Sequence, residues 1–227
     1  MAPGSAGYQP AMTPPERRRG RLVAVEGIDG SGKSTVVPLL ATFLRNRGLS
    51  VARRREPADR SLGALAQSAS VRDPWTGGVY FTVDRHLARP ALERALASHD
   101  VVITDRSFYS TLAYQGSALA ARDRRRLEVL QRRATVVPDR VVLLDLSPAD
   151  AVRRLGVRAQ RRGPLERRRV LGRVARSYRA LARRGGWIVV DARRPSDDLV
   201  REVGARLIRM LPAARHRSRA PRHRRRR

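Results

Sequence analysis

The sequence predicts an α/β fold in which a five-stranded parallel sheet is covered by helices on both faces. Three observations support this prediction. Five short apolar runs rich in β-branched residues recur along the 227 residues. Stretches with helical spacing of apolar residues lie between these runs, and such alternation is typical of a parallel sheet. A glycine-rich segment separates the first run from the helical pattern that follows it.

The five apolar runs are the strand candidates, at 21–26, 49–54, 100–104, 140–146 and 187–191. Helical patterns cover 35–44, 91–96, 149–155, 170–182 and 198–210. A chain of this length can form one α/β domain with a sizeable core. We therefore expect a single domain over 20–211, with ligands bound at the carboxyl ends of its strands.

The two ends of the chain differ in composition from this domain. Residues 1–19 are rich in Pro, Gly and Ala, whereas 212–227 carry eight arginines and no acid. Both compositions are typical of disordered segments, and the basic tail should attract polyanions nonspecifically. No stretch resembles a signal peptide or a membrane span, so we expect a cytoplasmic protein without a membrane contact.

Lys33 is the only lysine among 49 basic residues, and it lies in the segment Gly27 to Ser34. This segment fits G-x-x-x-x-G-K-[ST], the phosphate-binding loop, and the flanking strand and helix supply the context that the motif requires. A compact ammonium at this position reaches the β- and γ-phosphates, and a guanidinium is not an equivalent substitute. The ATP-binding candidates are Gly27, Ile28, Asp29, Gly30, Ser31, Gly32, Lys33, Ser34 and Thr35.

The motif predicts the P-loop NTPase fold with ATP and Mg²⁺ as ligands, where backbone N–H groups of the loop bind phosphate and the Ser34 hydroxyl binds the metal. GTPases are excluded because their Asn-Lys-x-Asp motif needs a second lysine. The signature motifs of transporter ATPases and helicases are missing from the sequence, and there is no cysteine for disulfides, thiolate metal sites or nucleophiles. Small-molecule kinases remain.

Several segments, in order along the chain, resemble one kinase family. They are 26–35, Arg55-Glu56-Pro57, Phe81 to His86 and 105–116, followed by Val137-Pro138-Asp139 and 178–182. These segments are similar to those of the thymidylate kinases, which are P-loop nucleoside-monophosphate kinases. The resemblance spans roughly residues 20–210. It implies transfer of the γ-phosphoryl group of ATP to dTMP, giving dTDP for dTTP biosynthesis, and it implies a homodimer.

The resemblance also implies roles for the matched residues. Arg85 and Arg106 would bind the 5′-phosphate of dTMP through paired guanidinium bonds. Phe81 would stack on thymine, Asp29 would contact the 3′-hydroxyl, and Asp105 would hold Mg²⁺ together with Ser34. The implied acceptor-binding residues are Asp29, Glu56, Pro57, Phe81, Arg85, Arg106, Thr111, Tyr114 and Gln115.

The arginine-rich segment at about 153–169 is interpreted as a mobile flap over ATP. Some thymidylate kinases carry an arginine in the phosphate loop, whereas others have glycine there and supply the arginine from the flap. Gly30 places this chain with the second kind. The predicted catalytic residues are therefore Lys33, Arg106, Arg158 and Arg161, with Arg162 and Arg167 as further flap candidates.

Alternatives remain open for the residues and for the function. The Asp84–Arg85 pair could be a surface salt bridge, and Phe81 and Tyr114 could be ordinary core aromatics. Residues 58–60 and Ser107 depart from the usual family pattern. A divergent P-loop kinase for another deoxynucleotide or deoxynucleoside is therefore one alternative, and a basic nucleic-acid-binding protein with a vestigial kinase fold is the other.

Overall fold

The computed structural model describes residues 19–156 and 164–210, without the side chains of 164–167. In this part of the chain, five parallel strands form one sheet in the order β2-β3-β1-β4-β5. They are β1 (Arg21–Glu26), β2 (Val51–Arg55), β3 (Val101–Asp105), β4 (Arg140–Asp145) and β5 (Ile188–Asp191). All five predicted strands are confirmed: β1 has the predicted boundaries, and the boundaries of the other four differ by one or two residues. The predicted disordered leader up to residue 18 and the tail from 212 lie outside the described residues.

Eight α-helices and one 3₁₀ turn occur in the described ranges. They are α1 (Lys33–Arg45), α2 (Arg60–Arg72), α3 (Pro74–Ser98), α4 (Phe108–Tyr114), the 3₁₀ turn Gly116–Ala118, α5 (Ala121–Ala134), α6 (Pro148–Gly156), α7 (Pro164–Gly185) and α8 (Ser196–Met210). The five helical patterns of the sequence fall within α1, α3, α6, α7 and α8. Helices α2, α4 and α5 were not predicted from the sequence.

Helices cover both faces of the sheet, as predicted. Val23 and Val25 of β1 point to the larger core, which also contains residues of α1, α7 and α8. Leu22 and Val102 point to the opposite face, where Leu92 and Leu96 of α3 pack against them. Because β1 is the central strand and is buried on both faces, its sequence is almost continuously apolar.

The carboxyl ends of three neighbouring strands lie level with one another. Asp105 of β3 pairs in register with Val25 of β1 on one side and with Arg55 of β2 on the other. The phosphate loop, Glu56-Pro57 and Arg106 therefore leave the sheet at the same edge, which is where ligands bind in parallel α/β sheets. Among the described residues, no helix combines the length and hydrophobicity needed to cross a membrane.

Candidate active site

Lys33 lies at the start of α1, with its side chain folded back over the phosphate loop. Its Nζ donates hydrogen bonds to the carbonyl oxygens of Gly27 at 2.8 Å and Ile28 at 3.0 Å, and only 6% of the residue is exposed. Burial, and next the charge of Arg106, lower the pKa of Lys33 to about 7, although Asp29 and other nearby carboxylates oppose this shift. The bonds to Gly27 and Ile28 thus hold the Lys33 side chain where the loop and the helix N-terminus would receive phosphate.

Two loop glycines have conformations or surroundings that a side chain would not tolerate. Gly30 has a φ of 84°, and a Cβ there would lie 3.0 Å from the Ala151 carbonyl oxygen and 3.3 Å from Leu155 Cγ of α6. Gly32, which precedes α1, has a φ of 94°. The close approach of α6 gives a physical reason for glycine, rather than arginine, at position 30.

Asp29 and Arg106 connect the phosphate loop to the end of β3. Arg106 Nη2 donates to Asp29 Oδ1 at 2.5 Å, and the Tyr114 hydroxyl donates to Asp29 Oδ2 at 2.9 Å. Burial raises the pKa of Asp29, but Arg106, Lys33 and the bond from Tyr114 outweigh burial and hold that pKa below its ordinary value. Asp29 is therefore ionised at neutral pH.

The first of two large cavities at this edge is lined by the phosphate loop, is open to solvent and contains about 1170 Å³ of empty space. Its lining residues are Asp29, Gly30, Gly32, Lys33, Ser34, Thr35, Arg55, Asp105, Arg106, Arg154 and Leu155. Arg154 lies in the predicted flap segment, but no role was predicted for it. Arg154 Nη2 donates to the Ala192 carbonyl at 2.9 Å, and Nη1 lies 3.4 Å from the Gly30 carbonyl oxygen. Arg154 is thus a flap-side arginine that reaches the loop.

The second cavity is open to solvent, contains about 980 Å³ of empty space and is lined by all nine predicted acceptor-binding residues. Its lining residues are Asp29, Glu56, Pro57, Gln67, Ser70, Phe81, Arg85, Arg106, Ser110, Thr111, Tyr114 and Gln115. Three of these residues were not predicted from the sequence: Gln67 and Ser70 of α2, and Ser110. Residues that are distant in sequence therefore form one cavity, which is large enough for a small ligand. Asp29 and Arg106 belong to both cavities.

Arg85 is 3% exposed and surrounded by acceptors. Its Nε donates to Glu56 at 2.7 Å, and its Nη1 donates to Thr111 at 2.9 Å and Gln131 at 2.8 Å. Nη2 donates to the Ser107 carbonyl at 3.1 Å. A guanidinium has five N–H groups, and one N–H of Nη2 has no acceptor within the described part of the chain, so a ligand could accept it.

The surface salt bridge considered for Asp84 and Arg85 does not exist. Asp84 is 2% exposed and accepts hydrogen bonds from the backbone N–H groups of Ala58 and Asp59, at 2.9 and 2.8 Å. Asp84 thus holds the turn that follows Glu56-Pro57. Phe81 and Tyr114 were also considered as ordinary core aromatics. They are more than that, because both side chains line the second cavity.

Glu26, at the end of β1, is fully buried and supports the segment that follows β3. Its carboxylate accepts hydrogen bonds from the backbone N–H and the hydroxyl of Ser107, at 2.8 and 2.7 Å, and from the hydroxyls of Ser110 and Tyr178, at 2.7 and 2.9 Å. Ser110 in turn accepts a hydrogen bond from Arg106 Nη1 at 3.1 Å. This polar network fixes the position of Arg106 relative to the phosphate loop.

Two oxygen donors are available for a metal ion in the first cavity. Asp105 Oδ1 is buried and has no hydrogen-bond partner among the described residues, and the Ser34 side chain lines the same cavity. Such an unpartnered buried carboxylate oxygen is unfavourable unless a ligand satisfies it. Within the described ranges, no group of three or more His, Asp or Glu residues could hold a metal alone. Ligand oxygens would have to complete the coordination.

The predicted flap arginines cannot be placed in this geometry. Arg158, Arg161 and Arg162 lie outside the described residues, and Arg167 lies in α7 at a position whose side chain is not described. The described ends of the flap segment are helical, because α6 extends to Gly156 and α7 starts at Pro164. The assignment of a catalytic flap arginine therefore stays a prediction.

Comparisons with known proteins agree with this geometry. The family model described as thymidylate kinase matches residues 25–203. The chain belongs to the thymidylate kinase family. A thymidylate kinase from Leifsonia xyli subsp. xyli is 36% identical over 211 residues, which cover 86% of this chain and 98% of the relative. A probable thymidylate kinase from Pyrobaculum calidifontis is 34% identical and covers 86% of this chain and 99% of its own length.

The family match includes every segment on which the resemblance was based, from the phosphate loop to Tyr178. A probable thymidylate kinase from Archaeoglobus fulgidus, 33% identical over 184 residues, covers 80% of this chain and 92% of its own length. The predicted membership of the thymidylate kinase family and the predicted α/β fold are therefore confirmed. The departures at residues 58–60 and Ser107 do not remove the chain from the family.

Proposed function

We propose that this protein is an ATP-dependent nucleoside-monophosphate kinase that converts ATP and dTMP to ADP and dTDP. One observation carries the proposal. The cavity that contains the phosphate loop and the cavity that contains the acceptor-binding residues meet at Asp29 and Arg106. A nucleotide phosphate in each cavity would therefore approach the other beside Lys33. The thymidylate kinase family supplies dTMP as the acceptor.

Arg106 is the principal phosphate ligand in the proposed acceptor complex. It lies between the two cavities, its side chain is 20% exposed, and an incoming phosphate can replace or share its bond with Asp29. Arg85 contributes a single N–H, because its other N–H groups are bonded to protein acceptors. Phe81 offers a ring face for the pyrimidine, and Asp29 and Tyr114 face the sugar.

Mg²⁺ would bind with ATP rather than to a preformed protein cage. Asp105 and Ser34 fit such an ion, because Mg²⁺ takes oxygen ligands, keeps several waters and is completed by substrate phosphates. When bound, the ion neutralises charge on the phosphates of ATP. The protein then contributes one carboxylate and one hydroxyl.

Phosphoryl transfer in this site needs positioning and positive charge more than covalent chemistry. An oxygen of the dTMP phosphate is already an adequate nucleophile, so direct in-line transfer requires no general base. Lys33 and Arg106, whose charges both act on Asp29, would stabilise charge on the transferred group. Arg154 supports the nucleotide cavity from α6, and Arg158 and Arg161 are proposed as additional flap cations.

Lys33→Met tests this site directly. With ATP, Mg²⁺ and dTMP, we expect the wild-type protein to form ADP and dTDP in equal amounts, measured by anion-exchange chromatography. The variant should remain folded by circular dichroism but lose about 10³-fold in turnover, because a transition-state charge is removed. A variant that turns over within a few-fold of wild type would place the active site elsewhere.

Three further expectations from the sequence are proposals of the same kind. The resemblance implies a homodimer, and Val71 of α2 and Leu87 of α3 are exposed apolar side chains that a second copy could cover. The arginine-rich tail would bind polyanions, so its deletion should make nucleic-acid binding weaker and less dependent on salt. A cytoplasmic location is also proposed. Light scattering tests the homodimer, and filter binding tests the contact of the tail with nucleic acid. Cell fractionation tests the location.

A further inference from the structure

The Gln115 amide in the acceptor cavity is held by Ser70, a residue of α2 that no sequence motif identified. Gln115 Nε2 donates to Ser70 Oγ at 3.0 Å. Ser70 Oγ itself donates to the Ala66 carbonyl, one helical turn earlier, at 2.6 Å. A serine hydroxyl has one hydrogen to donate. Since that hydrogen is used on Ala66, Ser70 can only accept from Gln115, and the nitrogen of the amide must face it.

The packing of α3 against α2 confines this hydroxyl. A Cβ on Gly77 of α3 would lie 1.9 Å from Ser70 Oγ and 2.8 Å from the Ala66 carbonyl oxygen. Gly77 thus leaves room for the Ser70 hydroxyl between the helices, and neighbouring backbone limits its movement. Gln115 follows α4 and is 8% exposed. Both side chains line the acceptor cavity, and no described residue donates to Gln115 Oε1.

We propose that Ser70 positions the Gln115 amide and thereby determines specificity for the pyrimidine base. The orientation of the amide decides whether Gln115 accepts a hydrogen bond from the base or donates one to it. With Nε2 turned to Ser70, Oε1 is the acceptor available to the cavity. Thymine and uracil carry a hydrogen on N3 that Oε1 can accept, whereas N3 of cytosine is an acceptor and would face another acceptor. The amide could serve cytosine only by turning over, which would break its bond to Ser70. This inference rests on the proposed function, because it assumes a pyrimidine nucleotide in the acceptor cavity.

The test compares kcat/KM for dTMP, dUMP and dCMP in the wild-type protein and in Ser70→Ala. Removing the hydroxyl should free the amide to turn over, so kcat/KM should fall for dTMP and dUMP and rise for dCMP. We expect the ratio of kcat/KM for dTMP to kcat/KM for dCMP to fall by about tenfold. This is roughly the effect of losing one hydrogen bond to dTMP and gaining one to dCMP. The dTMP to dUMP ratio should stay unchanged, because the amide does not read the 5-methyl group.

Two variants complete the design. Ser98→Ala of α3 removes a hydroxyl that likewise bonds to the carbonyl four residues earlier, Arg94, but lies outside both cavities, and it should leave all three values unchanged. Gln115→Ala should remove the discrimination against dCMP, and adding Ser70→Ala to it should have no further effect on the ratio. A purely structural role for Ser70 predicts equal losses for every acceptor in both backgrounds.

An unchanged dTMP to dCMP ratio in Ser70→Ala would overturn the inference, whether or not overall activity falls. Equilibrium binding of dTMP and dCMP, measured by calorimetry, separates this outcome from failure of the proposed function. If the wild-type protein does not phosphorylate dTMP but binds it more tightly than dCMP, and Ser70→Ala removes that preference, the inference stands and the activity fails. If the wild-type protein shows no preference in binding, the inference is overturned.

Discussion

Arg106 illustrates how this site uses a strained residue. It has a φ of 75°, a left-handed conformation that costs a side-chain-bearing residue roughly 1–3 kcal/mol. Its backbone N–H donates to the Val25 carbonyl at 3.0 Å, and its carbonyl accepts from the Thr104 hydroxyl at 2.7 Å. Together with the Glu26 network, these bonds hold the guanidinium beside Asp29. The strained backbone of Arg106 thus carries a side chain that lines both cavities.

Arg106→Ala should therefore affect the acceptor more than ATP. We expect kcat/KM for dTMP to fall by about 10²–10³-fold, because a charge-assisted phosphate contact and a transition-state cation are both lost. The KM for ATP should change only a few-fold. Arg89→Ala is the matched control, since Arg89 lies one helical turn beyond Arg85 and pairs with Glu93 at the surface. Equal effects on the two substrates would contradict the proposed position of Arg106.

Arg85 and Glu56 form a mostly buried ion pair, with side chains that are 3% and 17% exposed. Arg85→Met should lower the free energy of unfolding by about 3–5 kcal/mol at neutral pH, because it leaves the Glu56 carboxylate without its cation. Urea unfolding, monitored by circular dichroism, measures this change.

The loss of stability in Arg85→Met should depend on pH in a defined direction. Burial raises the pKa of Glu56, and Arg85 counteracts that rise. Without Arg85, folded Glu56 binds a proton more readily than unfolded Glu56, so stability falls as pH rises through the range between the two pKa values. The decrease in the free energy of unfolding caused by Arg85→Met should be smaller at pH 5 than at pH 8. The double variant that also carries Glu56→Gln should not show this dependence on pH. A deficit that is independent of pH would contradict this account.

At the scale of elements, the contact between α1 and α8 depends on a glycine. A Cβ on Gly204 of α8 would lie 2.1 Å from Phe43 Cε1 of α1. Gly204→Ala should therefore force the Phe43 ring to move and lower stability by about 1–3 kcal/mol, despite the better helix propensity of alanine.

Gly172→Ala provides the matched helical control. A Cβ on Gly172 of α7 would have its nearest neighbours at 3.7 Å, on Arg176, and 3.9 Å, on Pro148, which are ordinary contacts. This substitution should raise stability by about 0.5–1 kcal/mol. A urea midpoint that rises for Gly204→Ala as it does for Gly172→Ala would show that the Phe43 contact does not limit the packing of α8.

The elements that were predicted and those that were missed differ in how much apolar surface they bury. Strands β1 and β3 are buried along almost their whole length, so their composition identifies them. Helix α2 buries only Gly63 and Ala66, and α5 has arginine at many exposed positions, so neither has a clear apolar pattern. Helix α2 instead depends on its N-cap, where Asp59 accepts from the N–H of Leu62 at 2.8 Å.

The same distinction applies to the site. Lys33 could be predicted because the phosphate-binding motif requires a lysine at that spacing. Asp29 occupies a variable position of the motif, and only the family resemblance implied its role. Ser70 and Arg154 enter the cavities only through the packing of α2 and α6, and nothing in their local sequence distinguishes them from other serines and arginines. Motifs and family resemblance therefore predict residues of the phosphate loop and of the cavities, but not the residues that only helix packing brings there.

For the whole molecule, charge alone does not distinguish an enzyme from a nucleic-acid-binding protein. The net charge is +29, and much of it lies outside the arginine-rich tail. In α7, residues 168–185 include seven arginines and no acid, and only Arg179 has an ion-pair partner, Asp145, among the described residues. A basic surface of this kind attracts nucleic acids and nucleotides alike. Catalysis must therefore be tested by substrate selectivity.

The most direct measurement is ADP formation from ATP and Mg²⁺ with a panel of acceptors: dTMP, dUMP, dCMP, dGMP, AMP, thymidine and shikimate. The structure predicts the highest kcat/KM for dTMP, with dUMP second, since a missing methyl group costs about 1–3 kcal/mol in an apolar pocket. Thymidine should be poor, because Arg106 would face an empty phosphate position. Efficient phosphorylation of thymidine or shikimate with dTMP inert, or no ADP formation with any acceptor, would contradict the account.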